Sequence, residues 1–151
     1  MKRFDSIDEI LDFAINAEQE AVDFYNQLAE NAKTEDMRLV FTSFAQEEIG
    51  HKARLTVIKK EGSYKVEIKQ IADLKISDYT VDIKPTPDMT YQEALVLAMK
   101  KEKAAFKLYY DLAKVANNIE MRDIFLSLAQ EESKHKLRFE IEYDEYVLRE
   151  N

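Results

Sequence analysis

The stretch FTSFAQEEIGHKARL, residues 41–55, recurs 84 positions later as FLSLAQEESKHKLRF, residues 125–139. Each copy contains a Glu-x-x-His motif, and the only two histidines of the 151 residues, His51 and His135, stand in these motifs. Residues three apart lie on one face of a helix, so the glutamate and the histidine of each copy point in the same direction. The repeat therefore marks the centre of two equivalent halves.

The repeat extends beyond this stretch. The same offset places Glu18 over Glu102 and Tyr25 over Tyr109. Each half has the pattern of two helices joined by a short turn, so the neighbouring helices should be antiparallel. We predict an all-α protein, a four-helix bundle made of two antiparallel helical hairpins.

Local signals set the ends of the helices. Residues 6–9 (SIDE) and 90–93 (TYQE) have the sequence of a capping box, and Gly62 suits a C-terminal cap. These signals and the short turns at 33–34 and 117–118 predict helices over about 7–32, 35–60, 91–116 and 119–148.

The segment between the hairpins differs from the rest of the chain. Residues 63–88 contain both prolines and lack helical periodicity, so we predict a crossover of about residues 63–89 within a single domain of residues 1–151. At roughly 3.3 Å per residue the crossover can exceed about 80 Å, whereas each helix is only about 39 Å long. It can run the whole length of the bundle, and we expect the second hairpin to start from the same end as the first.

Each predicted helix carries a line of inward-facing residues spaced alternately four and three apart. The line of the first helix is Ile7, Leu11, Ala14, Glu18, Ala21, Tyr25, Leu28 and Ala32. A glutamate interrupts every line near its middle, and a histidine follows it in the second and fourth helices. Six polar side chains should therefore meet at mid-height of the bundle. They are Glu18, Glu48, His51, Glu102, Glu132 and His135.

Four carboxylates in a dry core would repel one another, and burial of each ion costs several kcal/mol. Protonation with raised pKa values would relieve part of this repulsion. Two divalent cations would relieve it more fully, because four positive charges would meet four negative ones. One glutamate from each of two helices and Glu-x-x-His from each of the others is the ligand pattern of di-iron and di-manganese carboxylate proteins. The mixed carboxylate and imidazole set favours iron or manganese over calcium or thiolate-bound zinc.

The neighbours of these six residues allow two interpretations each. Tyr25 and Tyr109 stand seven residues after the inward glutamates, where they could donate hydrogen bonds to the carboxylates or pack as plain core residues. Glu47 and Glu131 lie about 100° around the helix from the inward line, so we expect both in solvent. A shifted register that turns the polar residues outward would also expose the apolar residues beside them.

Composition excludes several classes of function. The absence of cysteine excludes disulfides, thiolate catalysis and a rubredoxin-type iron site within these residues, and it fits a reducing compartment, which predicts a cytoplasmic location. A formal charge of −8 makes nucleic acid an unfavourable partner. No run of about 18 apolar residues occurs, so we expect no membrane span, and the N-terminal residues lack the apolar region of a signal peptide.

The residues around the motifs resemble the rubrerythrin branch of the ferritin-like superfamily. The resemblance rests on AEQEAVDFYNQLAE (17–30), FAQEEIGHKARL (44–55), KKEKAAFKLYYDLAK (100–114) and LAQEESKHKLRF (128–139). It implies a ferritin-like bundle that holds two iron ions, with manganese or zinc as possible substitutes. By this resemblance the six inward polar residues are the ligands, Glu48 and Glu132 bridge the two ions, and Glu18 and Glu102 are terminal.

The resemblance also implies an activity and partners. A rubrerythrin-like oxidoreductase would reduce hydrogen peroxide or dioxygen. The usual rubrerythrin carries a rubredoxin domain with four cysteines, so electrons would here come from a separate donor such as a rubredoxin or a flavoprotein. A homodimer is implied, and a long crossover makes exchange of hairpins between subunits easy.

One departure from the rubrerythrin pattern keeps other functions open. Rubrerythrins carry an extra carboxylate three residues after the glutamate of the third helix, but this position is Ala105, and its counterpart in the first half is Ala21. The resulting symmetric site is closer to a ferritin-type ferroxidase centre. A ferroxidase or iron-binding protein is therefore the first alternative, and a metal-free helical adaptor is the second.

Overall fold

The computed structural model describes residues 3–62, 64, 71 and 74–150, and within these residues it contains four long helices. They are α1 (Ile7–Glu30), α2 (Glu35–Glu61), α3 (Tyr91–Val115) and α4 (Ile119–Glu150). The predicted all-α four-helix bundle is confirmed, and each helix end lies within two residues of its expected position. Residues 63, 65–70 and 72–73 of the predicted crossover lie outside the described residues.

Side chains and one glycine determine where the helices begin and end. At the start of α3 the capping box is complete: the Glu93 N–H donates to Thr90 Oγ1 (3.1 Å), and the Thr90 N–H donates to Glu93 Oε1 (3.0 Å). At the start of α1 the Ser6 hydroxyl accepts from the Glu9 N–H (3.1 Å). Gly62 ends α2 with φ of 64°, a conformation that costs a residue without Cβ nothing. The capping box predicted at residues 90–93 is complete, whereas the one predicted at residues 6–9 forms only its Ser6 half.

The two hairpins start at opposite ends of the bundle. The Lys33 ammonium, in the turn between α1 and α2, lies 5.7 Å from the ring centroid of Tyr91, the first residue of α3. The expectation that both hairpins start at the same end is wrong. Since α2 returns to the end where α1 begins, a crossover that runs the full length of the bundle must arrive at the opposite end.

A polar layer divides the apolar core into two clusters. One cluster includes Ile10, Leu55, Leu112, Phe125 and Leu128, and the other includes Leu28, Phe41, Leu95, Leu97 and Phe139. Burial of each such side chain contributes about 1.5–3 kcal/mol. The two clusters hold the four helices together on both sides of the layer, which gives them a fixed frame in which polar side chains can face one another.

The described part of the crossover packs along the first cluster up to Tyr79, and Val81 and Met89 then pack against the second. It contains a short 3-10 helix, Ile76–Asp78, and the next residue, Tyr79, donates a hydrogen bond to Asp111 Oδ2 on α3 (2.8 Å). Tyr64 is buried and donates to the main-chain oxygen of Leu112 (2.6 Å). Among the described helices, none combines the length and the apolar character that a membrane span requires.

Candidate metal centre

Six polar side chains form the layer between the two apolar clusters, and all six are almost fully buried. The exposed fraction is 1–3% for each of Glu18, Glu48, His51, Glu102, Glu132 and His135. Each helix supplies its contribution from the middle of its inward line, because the packing of the apolar residues above and below fixes which face points inward. The structure thus brings together all six residues that the sequence analysis singled out.

The six side chains form two groups that share two members. His51 lies with Glu18, and His135 lies with Glu102, while Glu48 and Glu132 belong to both groups. Within each group one ligand atom from every residue lies within 4.8 Å of the others. The two groups could therefore hold two adjacent ions, with Glu48 and Glu132 as ligands common to both.

The distances inside the groups suit ligands of one ion. Nδ1 of His51 lies 2.8 Å from Glu132 Oε1 and 3.6 Å from Glu18 Oε2. Nδ1 of His135 lies 3.1 Å from Glu48 Oε1 and 3.6 Å from Glu102 Oε1. Since ligand atoms lie about 2.0–2.2 Å from a first-row metal ion, neighbouring ligand atoms of one ion are roughly 3 Å apart.

The six residues also leave one polar atom each without a partner. Among the described residues, the buried side-chain oxygen and nitrogen atoms that make no hydrogen bond belong to these six residues. They are Glu18 Oε2, Glu48 Oε1, His51 Nδ1, Glu102 Oε2, Glu132 Oε1 and His135 Nδ1. Native proteins rarely bury unpartnered polar atoms, so this set fits two cations that would take all six as ligands.

Electrostatics inside the layer favour the uncharged carboxyl and the charged imidazole. Burial, and next the charge of Glu48, raise the pKa of Glu18 to about 8. Burial and the surrounding glutamates raise the pKa of Glu132 well above its usual range. Burial alone would lower the pKa of His51, but the carboxylates of Glu18 and Glu48 raise it to about 9. Without cations, these raised pKa values favour the protonated forms of Glu18, Glu132 and His51.

Two tyrosines connect the hairpins across the layer. Tyr25 on α1 donates a hydrogen bond to Glu102 on α3, and Tyr109 on α3 donates one to Glu18 on α1. Both phenols are fully buried. Of the two interpretations that the sequence allowed, the hydrogen-bonded one is found, and each bond orients a carboxylate that faces the layer.

Two glutamates that the sequence analysis placed in solvent hold the outer nitrogens of the histidines. Glu131 Oε2 on α4 lies 2.9 Å from His51 Nε2 on α2, and Glu47 Oε2 on α2 lies 3.0 Å from His135 Nε2 on α4. Their side chains are 35% and 44% exposed, so the expectation of solvent contact holds only in part. The available signal was their presence in both copies of the repeat, directly before Glu48 and Glu132.

These outer carboxylates decide which imidazole nitrogen faces the layer. A carboxylate at Nε2 keeps the proton there and leaves Nδ1 free as a ligand atom, an arrangement that recurs around protein-bound metals. Each pair also ties α2 to α4, since both hydrogen bonds cross from one helix to the other.

Comparison with known proteins agrees with this geometry. The family model of rubrerythrins matches residues 9–143, which is most of the chain. The chain belongs to the rubrerythrin family. A crystal structure of a Thermotoga maritima protein, named as a candidate ferritin-like diiron-carboxylate protein, is similar with a TM-score of 0.75 at 20% identity, over 97% of this chain and 99% of that one. The likeness shows a common fold. No match to the sequence was found among curated proteins.

This rubrerythrin-family centre should depend on Glu131 for metal affinity. We expect Glu131→Ala to weaken metal binding roughly 10–100-fold, because His51 loses the partner that fixes its tautomer and ring orientation. Titration against a competing chelator measures the affinity. Glu145→Ala, an exposed glutamate on the same helix, is the matched control and should bind like the unaltered chain. An affinity of Glu131→Ala within about twofold of the control would contradict this role.

A pair of tyrosine variants separates orientation of the ligands from general stability. Tyr109→Phe and Tyr64→Phe each remove one buried hydrogen bond, so both should lose about 1 kcal/mol of unfolding free energy. Only Tyr109→Phe should also weaken metal binding, by about tenfold, since Glu18 loses its donor. Denaturant unfolding and metal titration of both variants test this. Equal metal affinities would show that Tyr109 is a plain core residue.

Proposed function

We propose that this rubrerythrin-family chain is a di-iron oxidoreductase that reduces hydrogen peroxide to water. The observation that carries the proposal is the set of six unpartnered ligand atoms in two groups joined by Glu48 and Glu132. The family supports a ferritin-like metal protein in general, and the donor set of carboxylate and imidazole suits iron. Iron as the metal, peroxide as the substrate and the electron donor are parts of the proposal.

The residues of the layer would have different roles in such a centre. Glu48 and Glu132 would bridge the two ions, while Glu18 with His51, and Glu102 with His135, would complete one ion each. When bound, two ferrous ions supply Lewis acidity and the two electrons that conversion of one peroxide and two protons into two waters requires. Tyr25 and Tyr109 hold the terminal carboxylates in place through their hydrogen bonds.

Apolar side chains around the centre limit the access of water to it. Phe125, Leu128 and Phe139 are fully buried in the clusters on either side of the layer, and the Phe44 ring stacks on the His135 ring at 4.0 Å between centroids. These side chains exclude solvent along the bundle axis. After each turnover a separate donor, such as a rubredoxin or a flavoprotein, would return two electrons.

Rapid mixing tests the proposal. The ferrous protein is mixed in a stopped-flow instrument with hydrogen peroxide and, separately, with dioxygen, and oxidation is followed by absorbance. We expect peroxide to oxidise the centre at least about tenfold faster than an equal concentration of dioxygen. The peroxidase proposal fails if peroxide is no faster than dioxygen. Elemental analysis of protein from iron-replete cells identifies the metal beforehand.

A ferroxidase is the second candidate, and the symmetry of the layer favours it. Ala21 and Ala105 occupy equivalent positions of the two halves and face the same side of the centre, so neither position supplies a fifth carboxylate that would distinguish one metal position from the other. This function would oxidise iron as a substrate with dioxygen. It predicts uptake of more than two irons per chain and faster oxidation with dioxygen, which the same mixing experiment measures.

A further inference from the structure

A cavity of about 310 Å³ lies between α1 and α3, directly over the polar layer. The four glutamates of the layer line it, and neither histidine does. Its remaining lining includes Tyr79, Val81 and Lys84 from the crossover, so the crossover covers it from outside. Open coordination positions of bound ions would therefore face this cavity, on the side that the carboxylates occupy.

The cavity is larger than a small oxidant requires. A water molecule takes about 30 Å³ in the liquid, and peroxide and dioxygen are only slightly larger. Without ions the volume lies at the lower end of the roughly 300–1,000 Å³ of small-molecule sites, so space for a short organic chain remains beside two bound ions. The walls are apolar and mostly small where α1 faces α3, with Ala17, Ala21, Ala104, Ala105 and Leu108.

The charges at the mouth of the cavity favour an anion. Lys84 and Lys101 line it, together with one carboxylate outside the layer, Glu20. Lys101 is half-buried, its ammonium lies 5.8 Å from the ring centroid of Phe24, and among the described residues it forms no ion pair with a carboxylate. Two divalent ions would offset the four glutamates of the layer, so the metal-loaded cavity would carry a formal surplus of one positive charge.

We propose that this cavity binds an organic monocarboxylate with an unbranched apolar chain. The carboxylate pairs with the ammonium groups of Lys101 and Lys84, and the chain lies along the alanines between α1 and α3. The inference goes beyond peroxide reduction, and it rests on the proposed function only in that bound cations offset the layer. The half-buried ammonium of Lys101 gains an anionic partner, and the apolar walls gain contacts in place of water.

Calorimetric titration of the metal-loaded protein with sodium octanoate tests the site. We expect saturable binding of one octanoate per chain, and at least about tenfold weaker binding of octylammonium, which has a similar chain and the opposite charge. Lys101→Met should weaken octanoate binding by about tenfold or more, because a charge-assisted hydrogen bond is lost. Lys100→Met is the matched control, since Lys100 is exposed and does not line the cavity, and it should bind octanoate normally.

A second variant tests the location independently of charge. Ala105→Phe should fill the space between α1 and α3 and abolish octanoate binding, whereas Ala53→Phe, on the exposed surface of α2, should leave it unchanged. Circular dichroism and thermal unfolding establish that both variants fold. Failure of octanoate to bind, equal binding of octylammonium, or unchanged binding by Lys101→Met would each overturn the proposal.

These outcomes separate the cavity from the proposed function. Protein that holds two metal ions and reacts rapidly with peroxide, yet binds no octanoate, would refute only the ligand site. Protein that binds octanoate at Lys101 but reacts slowly with peroxide would refute only the peroxidase. Protein from which no metal can be recovered or reloaded would refute both.

Discussion

Replacement of Glu132 by leucine is expected to abolish tight binding of both metal ions while it stabilises the metal-free protein. Glu132 belongs to both ligand groups, so its loss affects both ions at once. We expect the affinity to fall by more than the roughly 10–100-fold that loss of an outer-shell partner causes. In the metal-free chain burial, and next the charges of the three other glutamates, raise the pKa of the same carboxyl far above the usual range. Its replacement by an apolar side chain of similar size should raise the unfolding free energy by about 1–4 kcal/mol.

Glu132→Leu should change metal affinity and thermal stability in opposite directions, and each is measured separately. Metal titration should show the loss of affinity, and thermal unfolding in the presence of a chelator should show a midpoint higher by a few °C, at about 2–4 °C per kcal/mol for a chain of this size. Glu145→Leu, at an exposed position of the same helix, should change neither quantity appreciably. If Glu132→Leu still binds two ions tightly, or if it destabilises the chelated protein, the shared role of Glu132 is wrong.

The repeat and the inward lines were sufficient to predict the bundle and the meeting of six polar side chains. A line spaced four and three residues apart can face only one direction once its apolar members are buried, so Glu18 had to follow Ala14 and Ala21 into the core. Capping residues such as Thr90 fixed the helix ends. The role of the six as metal ligands stays a prediction, which the titrations above address.

Features that depend on how helices lie against one another were not predictable in this way. The contacts of Glu47 and Glu131 cross between α2 and α4, and their positions about 100° from the inward line gave no indication of a neighbouring helix there. Glu142 is 1% exposed, although it lies in a strongly charged part of α4. Its partners, the Tyr91 hydroxyl (2.8 Å) and the Arg149 guanidinium (3.2 Å), come from the start of α3 and from the next turns of α4.

The cavity over the layer is another product of packing. In the sequence, the alanines at 17, 21, 104 and 105 are plain helix formers. Their small side chains leave a cavity only because α1 faces α3 at these positions and the crossover covers the gap. A sequence periodicity reports which face of a helix is buried. It does not report the distance to the next helix, which the side chains of both helices determine together.

The stability of the protein should change with pH in opposite directions without and with metal. In the metal-free fold Glu18 has a pKa of about 8, against an ordinary value of 4.5, and His51 has a pKa of about 9, against 6.5. Both groups therefore hold their protons more tightly in the folded state than in the unfolded chain. Their contribution to stability is complete below the unfolded pKa values and is lost as the pH rises from about 4.5 to about 9. Metal ions bind the deprotonated ligands, so the stabilisation by metal grows over the same range.

Thermal unfolding between pH 5 and pH 8.5 measures both slopes, with a chelator in one series and saturating Mn(II), which resists oxidation by air at the lower pH values, in the other. We expect the midpoint of the chelated protein to fall by roughly 10 °C across this range, and that of the metal-loaded protein to rise or stay level. Glu18→Gln should flatten the fall in the chelated series, because an amide does not titrate. Glu30→Gln, at an exposed position of the same helix, should leave both curves unchanged. Parallel curves in the two series would mean that the buried carboxylates do not exchange protons for metal, and the assignment of the layer as a metal centre would fail with them.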